Sequence, residues 1–233
     1  MKVKKLVDNI LDAEKASNIF KLKFKNYSIW PYYRMYFYYK YSKDLKILDE
    51  SSSSMKFSIK YILKIIKIFN LYKLFKNKKY FILEHPRSNK EGKDIYTDDL
   101  VQSLGKDNCS FFTFTQGGIS DKENSPIVLD FLKIFSKLNS KLFYKFTKNK
   151  YFKENFQSFL NTINADDKNT YFSHYKRYYI EFIIQFYFYY FILKVKKIEK
   201  VYLTVYYYNL ALVVAAKKLN IETIEIQHGV VSK

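Results

Sequence analysis

The amino-acid sequence predicts an α/β protein built on a parallel sheet, and three observations lead to this fold class. From residue 79 onward, short apolar runs such as "KYFIL" alternate with helical segments, which is typical of parallel sheets. Apolar residues form 48% of the 233-residue chain, enough for a large buried core. Only five glycines and three prolines occur, which argues against an all-β fold with many turns.

Residues 1–54 are predicted to form a helical and aromatic segment that ends in a linker. Apolar side chains recur at helical spacing across residues 2–15, so this stretch is expected to be an amphipathic helix. The run "FKLKFKNY" alternates like a short strand. Ser28 is expected to cap a following helix that carries Pro31 in its first turn. The run "SSSS" at residues 51–54 is the predicted linker.

Residues 55–78 are predicted to form a basic amphipathic helix. Apolar residues recur at spacings of three and four, whereas Lys60, Lys64 and Lys67 occupy the opposite side. Two interpretations remain open, and they are compatible. The apolar stripe packs on the protein itself with the lysines in solvent, or the helix lies on an anionic membrane that these three lysines contact.

Residues 79–233 are predicted to form the α/β domain. The strand in "KKYFILEH" is followed by a helix that Gly105 closes and by a second strand in "CSFFTFT". Residues 127–164 and 171–196 are expected to be long helices, so a helical block of about residues 127–196 interrupts the repeat. The last segment restores it, because the strands in "KVYLTVYY" and "IETIEIQHG" are joined by one helix and form a βαβ unit.

The charge of the chain is strongly positive. The formal net charge is +19, from 41 Lys and Arg against 22 Asp and Glu, so the surface is expected to attract polyanions or an anionic membrane leaflet. An AT-rich coding sequence would enrich lysine in the same way. The charge therefore selects no partner by itself.

The cysteine content and the apolar runs predict a cytoplasmic protein. The single cysteine, Cys109, excludes an internal disulfide and a Cys-rich zinc site. Acidic residues interrupt the first residues, which therefore lack the apolar core of a signal peptide. The longest apolar stretch, residues 178–193, is interrupted by Glu181 and Gln185 and is shorter than the ~20 residues that span a bilayer. We expect it to be a buried helix.

Candidate functional residues follow the predicted strands, since the loops at the carboxyl ends of parallel strands meet at one edge. His85 and Arg87 follow the first strand, as a group that exchanges protons near neutral pH and a group that binds phosphate or carboxylate. An alternative is a polar turn in which Arg87 pairs with a neighbouring acid. Asn209 opens the helix before the last strand, and that strand ends in a turn that contains His228. A lone histidine after a strand is more often structural than catalytic, and the position of His228 at the carboxyl end of a strand adds weight to a functional role.

Several well-defined sites are not indicated by the sequence. It contains no Walker phosphate loop, no GxGxxG run and no GxSxG elbow. The three histidines His85, His174 and His228 lack the spacing of metal ligands, so no metal site is expected.

Three runs together resemble the N-terminal half of bacterial capsule and surface-polysaccharide glycosyltransferases: "YSIWPYYR", "LEHPRSNK…DIYTDDLVQSL" and "VYYYNLALVVAAKKLNIETIEIQHG". The resemblance covers most of residues 26–233, and the strand-end "QHG" is its most specific part. It implies the GT-B architecture, in which two Rossmann-like domains face each other across a cleft. The fold expected here is a Rossmann-like parallel sheet with a large helical insertion and N-terminal helices.

The resemblance also implies roles for individual residues. His228 would be the base or would orient the acceptor hydroxyl, and Gln227 and the Gly229 backbone would shape the cleft, with Asn209 beside them. His85 and Arg87 would contact an anion. The acceptor would be a glycan or a lipid-linked glycan, and the protein would be peripheral on the inner face of the cell membrane.

The donor side is expected outside this sequence. In the resembling enzymes a C-terminal domain usually holds the nucleotide sugar, and no second Rossmann-like domain follows the "QHG" motif here. We therefore expect this chain to bind no cofactor and to act with a C-terminal half or a partner subunit. It is expected to be an N-terminal fragment, a truncated product or half of a split enzyme.

The alternative function is a non-catalytic basic module that binds nucleic acid or an anionic membrane through residues 56–79. Aromatic residues interleaved with lysines suit single-stranded nucleic acid, because bases stack on them. Most Tyr and Phe residues, however, fall within apolar helices, where core packing explains them better. Nucleic acid is therefore not the expected partner.

Overall fold

The computed structural model describes residues 2–21, 23–47, 76–84, 89–90, 93–94, 97–113, 127–143, 150–206 and 209–226. The chain forms two compact units. The helical unit comprises Met1–Met55 and Ser136–Ile183, and the sheet unit comprises Lys56–Phe135 and Ile184–Lys233.

The described elements alternate between helices and short strands. The helices are α1 (Lys2–Ala16), α2 (Trp30–Asp44), α3 (Asp98–Leu104), α4 (Asp130–Phe143), α5 (Lys150–Thr162), α6 (Lys168–Val195) and α7 (Leu210–Lys218). The strands are β1 (Lys23–Phe24), β2 (Tyr27–Ser28), β3 (Tyr80–Leu83), β4 (Asn89–Lys90), β5 (Lys93–Asp94), β6 (Cys109–Thr113), β7 (Ile127–Val128), β8 (Lys200–Leu203) and β9 (Glu222–Glu225).

The start of α2 differs from its prediction. Ser28 does not cap this helix, because it lies in β2, which pairs with β1 in an antiparallel hairpin. The residue before the helix is Ile29, whose side chain makes no capping hydrogen bond. Lys25 and Asn26 form the hairpin turn with φ angles of 50° and 72°, the left-handed region that such two-residue turns require. Pro31 lies in the first turn of α2, as predicted.

The helical block also differs from its prediction. Residues 127–164 were expected to be one long helix, but the described part contains β7, α4 and α5 instead. The break before α6 is confirmed, since Asn164 has a φ of 52°. The Asp167 carboxylate then accepts a hydrogen bond of 3.1 Å from the Thr170 backbone N–H. Hydrogen bonds from the Thr170 side chain and from this backbone N–H lower the pKa of Asp167.

Aromatic rings form the core of the helical unit. Trp30 is fully buried, and its ring centroid lies 4.8 Å from that of Phe159 on α5 and 6.1 Å from that of Tyr175 on α6. The indole of Trp30 donates a hydrogen bond of 2.7 Å to the buried carboxylate of Glu14 on α1. Arg34 donates to the same carboxylate at 2.7 Å. Hydrogen bonds to a buried charge therefore join α1 to α2, and aromatic contacts join α2 to α5 and α6.

Five parallel strands form the sheet of the sheet unit, in the order β7-β6-β3-β8-β9. Their parallel pairing confirms the predicted α/β fold class. β3, β6, β8 and β9 lie in the predicted runs, whereas β7 was not predicted. A separate antiparallel pair is formed by β4 and β5.

Both faces of the sheet are covered, as parallel sheets require. On one face, Ile82 and Tyr202 pack with Val101 of α3. On the other face, the rings of Phe81 and Phe112 stack with centroids 4.0 Å apart, and Tyr189 of α6 lies against Phe81. None of the helices in the described part of the chain combines the length and apolarity that crossing a bilayer requires.

The final βαβ unit is the most apolar part of the sheet unit. Every residue of α7 from Leu210 to Ala216 is buried, and α7 connects the neighbouring parallel strands β8 and β9. The predicted C-terminal cap is consistent with the geometry at Asn220, which has a φ of 57°.

Candidate functional site at the carboxyl edge of the sheet

At one position in the sheet, the side on which the chain adds its successive strands changes. From β3 the chain proceeds to β6 and β7 on one side, and it then returns to β8 and β9 on the other side of β3. Connections that leave neighbouring strands in opposite directions open a crevice at the carboxyl ends of those strands. β3 and β8 are these strands, with Leu83 beside Leu203 in their register.

Glu84 lies at this position, directly after β3. Its backbone N–H donates a hydrogen bond of 2.9 Å to the carbonyl of Phe112, so the residue extends the ladder between β3 and β6. The side chain is half-buried. Sequence analysis considered the loop that begins here but did not single out Glu84, although an acid that directly ends an apolar strand is a recognisable signal.

The loop after β8 begins with two buried residues, Thr204 and Val205. Asn209, which is 8% exposed, donates a hydrogen bond of 2.7 Å from its side-chain amide to the carbonyl of Val205. Its backbone N–H donates to the carbonyl of Tyr206 at 2.9 Å. The side chain of Asn209 therefore closes the loop on itself and makes no capping hydrogen bond to α7.

Glu225, the last residue of β9, joins this loop to the neighbouring strand. Its carboxylate accepts a hydrogen bond of 3.0 Å from the backbone N–H of Tyr206. The carbonyl of Leu203 accepts one of 2.8 Å from the N–H of Ile226. The loop after β8 and the end of β9 thus form one connected surface. Sequence analysis missed Glu225, since nothing in a single sequence indicates which backbone N–H a strand-end carboxylate will reach.

The described residues that directly follow β3, β8 and β9 carry hydrogen-bonding groups, and the β4–β5 hairpin in the loop after β3 adds Lys90 and Lys93. Glu84 and Glu225 supply carboxylates, and Thr204 and Asn209 supply a hydroxyl and an amide. Carboxylates and amides are suited to binding ligands rich in hydroxyl groups, because a carboxylate oxygen accepts hydrogen bonds from hydroxyl hydrogens. These groups can therefore bind a polar ligand that carries several hydroxyl groups.

The structure describes one of the predicted site residues, and the others lie outside the described ranges. Asn209 is placed by the structure at this edge. His85 and Arg87 follow Glu84 in the sequence, and the group Gln227, His228 and Gly229 follows Ile226, but all five lie outside the described residues. The same holds for the three lysines predicted to contact a membrane, Lys60, Lys64 and Lys67.

The environments of two other potentially reactive side chains, Cys109 and His174, favour a structural role. Cys109 is buried, and burial raises the pKa of its thiol, which disfavours the reactive thiolate. His174 of the helical unit accepts a hydrogen bond of 3.1 Å from Arg177, and burial together with the Arg177 charge lowers its pKa. Within the described ranges, no cluster of three or more potential metal ligands occurs.

Comparison with protein families, with curated proteins and with solved structures finds no match for this chain.

Proposed function

We propose that the sheet unit is the acceptor-side domain of a glycosyltransferase that moves a sugar from a nucleotide-sugar donor to a bacterial surface glycan. The observation that carries the proposal is the strand order. Counted along the chain, the five strands lie in the order 3-2-1-4-5, which is the order of Rossmann-like domains. In such domains the ligand site lies where the order reverses, and here that is the edge bearing Glu84 and Asn209.

The chemistry of the edge supports an acceptor with several hydroxyl groups. Glu84 and Glu225 are acids at neighbouring strand ends, and Asn209 and Thr204 add neutral hydrogen-bonding groups. Sugar hydroxyls donate to carboxylates and exchange hydrogen bonds with amides. The donor is assigned to a second domain or subunit, as the resemblance to two-domain glycosyltransferases implies.

In this proposal His228 is the base that takes the proton of the acceptor hydroxyl. An acceptor hydroxyl becomes a better nucleophile when a base takes its proton while the oxygen forms the new glycosidic bond and the nucleotide diphosphate leaves. A histidine has an ordinary pKa of about 6.5, so the neutral imidazole is available above that pH. Gln227 and the Gly229 backbone would orient the acceptor, and His85 and Arg87 would contact an anionic group of the lipid-linked acceptor.

The decisive experiment measures sugar transfer with this chain joined to, or mixed with, its donor-binding half. The His228→Ala variant is expected to lower kcat by about 10²- to 10⁴-fold, which is the usual contribution of a general base. His174→Ala is the matched control, since this histidine makes its described hydrogen bonds within the helical unit and transfer should not change. Unchanged turnover in His228→Ala would remove this residue from the mechanism.

Acceptor binding is tested separately from catalysis. Glu225→Ala breaks the hydrogen bond to Tyr206, whereas Glu225→Gln keeps an acceptor oxygen at the same place. If the loop after β8 contributes to the acceptor site, the alanine variant raises the KM for the acceptor and the glutamine variant restores much of the loss. An equal KM for both variants and the wild type would place the acceptor elsewhere.

A further inference from the structure

The edge opposite the candidate site is rich in lysine. Four segments meet at the amino ends of the strands: residues 76–79, 106–108, 194–200 and 217–220. We call them together the basic edge. They contain ten lysines and two acids, and Glu222 of β9 lies beside Lys200 as a third acid at this edge. The lysines are Lys76, Lys78, Lys79, Lys106, Lys194, Lys196, Lys197, Lys200, Lys217 and Lys218, and the two acids within the segments are Asp107 and Glu199.

Hydrogen bonds hold the segments of the basic edge together. Lys196 is 1% exposed, and its ammonium group donates to the Ser110 hydroxyl and to the Lys76 carbonyl, each at 3.0 Å. The Lys78 ammonium donates to the carbonyl of Asp107. The backbone N–H of Glu199 donates to the carbonyl of Lys79 at 2.8 Å. The lysines are therefore brought together by the fold and are not merely scattered in the sequence.

The exposed lysines of the basic edge are largely uncompensated. Lys200 forms a salt bridge of 3.0 Å with Glu222. In the described part of the chain, Lys79, Lys106, Lys217 and Lys218 make no salt bridge, and all four are exposed. At the carboxyl edge, the strand ends carry Glu84 and Glu225, and the β4–β5 hairpin in the loop after β3 carries Lys90 and Lys93. Most described lysines of the sheet unit therefore lie at the amino ends of the strands.

Helix dipoles explain only part of this placement. The carboxyl ends of α3, α6 and α7 point to the amino edge of the sheet, and a cation near each of them is favourable. One lysine at each helix end suffices for that effect. Lys76, Lys78 and Lys79 precede a strand instead, and α7 carries both Lys217 and Lys218. The excess indicates that the edge meets an anionic partner.

We propose that the basic edge binds the surface of an anionic phospholipid membrane. The lysines extend along four neighbouring strands, β6, β3, β8 and β9, a width of about 15 Å at the ~4.8 Å spacing of strands. Lysines that extend along several strands match the diffuse charge of a lipid surface. Sites for single-stranded nucleic acid also contain aromatic side chains on which bases stack, and the four segments contain none. This inference does not depend on the proposed sugar transfer.

The test is a sedimentation assay with vesicles of phosphatidylcholine and phosphatidylglycerol. The full chain is compared with a combined variant in which four exposed lysines of the basic edge are replaced, K79Q, K106Q, K217Q and K218Q. Each lysine near an anionic surface strengthens binding about fivefold, so the partition coefficient should fall on the order of a hundredfold or more. The matched control makes the same charge change at exposed lysines of the helical unit, with K4Q, K5Q, K23Q and K153Q.

The proposal predicts strong loss in the first variant, little loss in the control, and weaker binding of the wild type at high salt. Far-UV circular dichroism verifies that both variants are folded. Equal loss in both variants would show that only net charge matters, and no loss in either would place the contact elsewhere. If the wild-type protein does not bind these vesicles but binds single-stranded RNA through the same lysines, the basic edge is a nucleic-acid surface. Each of these results overturns the proposal.

Discussion

Glu14 is a buried acid of α1 that accepts hydrogen bonds from α2 in the core of the helical unit. It is 4% exposed and accepts hydrogen bonds from Trp30 and Arg34. Glu14→Ala would leave the buried indole N–H of Trp30 without its acceptor and would remove the ion pair with Arg34, so the free energy of unfolding in urea should fall by about 2–3 kcal/mol. Asp12→Ala on the same helix is the control: the Asp12 side chain is 76% exposed and forms a surface ion pair with Lys15, so its loss should cost less than about 0.5 kcal/mol. Similar costs for both variants would contradict the assigned role.

Lys196 should make stability depend on pH in the alkaline range. Burial, with a smaller effect of the Lys78 charge, lowers the pKa of Lys196 to about 8 from an ordinary value of 10.5. Between these two values the unfolded chain holds a proton that the folded chain has released. The unfolded state therefore binds more protons, and the free energy of unfolding rises with pH across this window.

The measurement compares urea unfolding of the wild type and Lys196→Met at several pH values. Relative to the variant, the wild type should gain about 2 kcal/mol between pH 8 and 10.5. Lys197→Met provides the control, since Lys197 is exposed and its difference from the wild type should not change over the same range. A constant difference for Lys196→Met would mean that Lys196 stays charged in the folded protein.

Helix α7 is buried along most of its length, so its small side chains are sensitive to any increase in size. Ala211, Ala215 and Ala216 have no exposed surface, so there is no room for a longer side chain. Ala215→Leu should cost about 1–3 kcal/mol of stability through overpacking, measured by urea unfolding with far-UV circular dichroism. Lys218→Leu adds the same side chain at an exposed position of the same helix and should change stability by less than about 0.5 kcal/mol.

The elements differ in how much of their structure the sequence could predict. β3, β6, β8 and β9 were predicted because each is an apolar run bounded by polar residues or turns. β7 was missed because two residues leave no measurable alternation, and the apolar residues that follow it continue into α4. The cap of α2 was misplaced because the hairpin that contains Ser28 satisfies that residue's backbone in a different way.

The whole molecule was harder to predict than its elements. The strand order and the crevice between β3 and β8 depend on contacts between residues 83 and 203, and a single sequence does not report such distant pairings. Likewise, the helical unit combines the N-terminal segment with residues 136–183, more than 80 residues later. The position of Asn209 at the site edge followed from the βαβ pattern, whereas Glu84 and Glu225 acquire their positions only from the assembled sheet.

The burial of Trp30 makes its fluorescence a probe of the helical unit. The chain contains one tryptophan, and it lies at the centre of the helical unit. Fluorescence excited selectively at the indole therefore reports on the helical unit alone, whereas far-UV circular dichroism reports on the helices of both units. The protein thus carries its own optical label, through which unfolding of one half can be followed without modifying the chain.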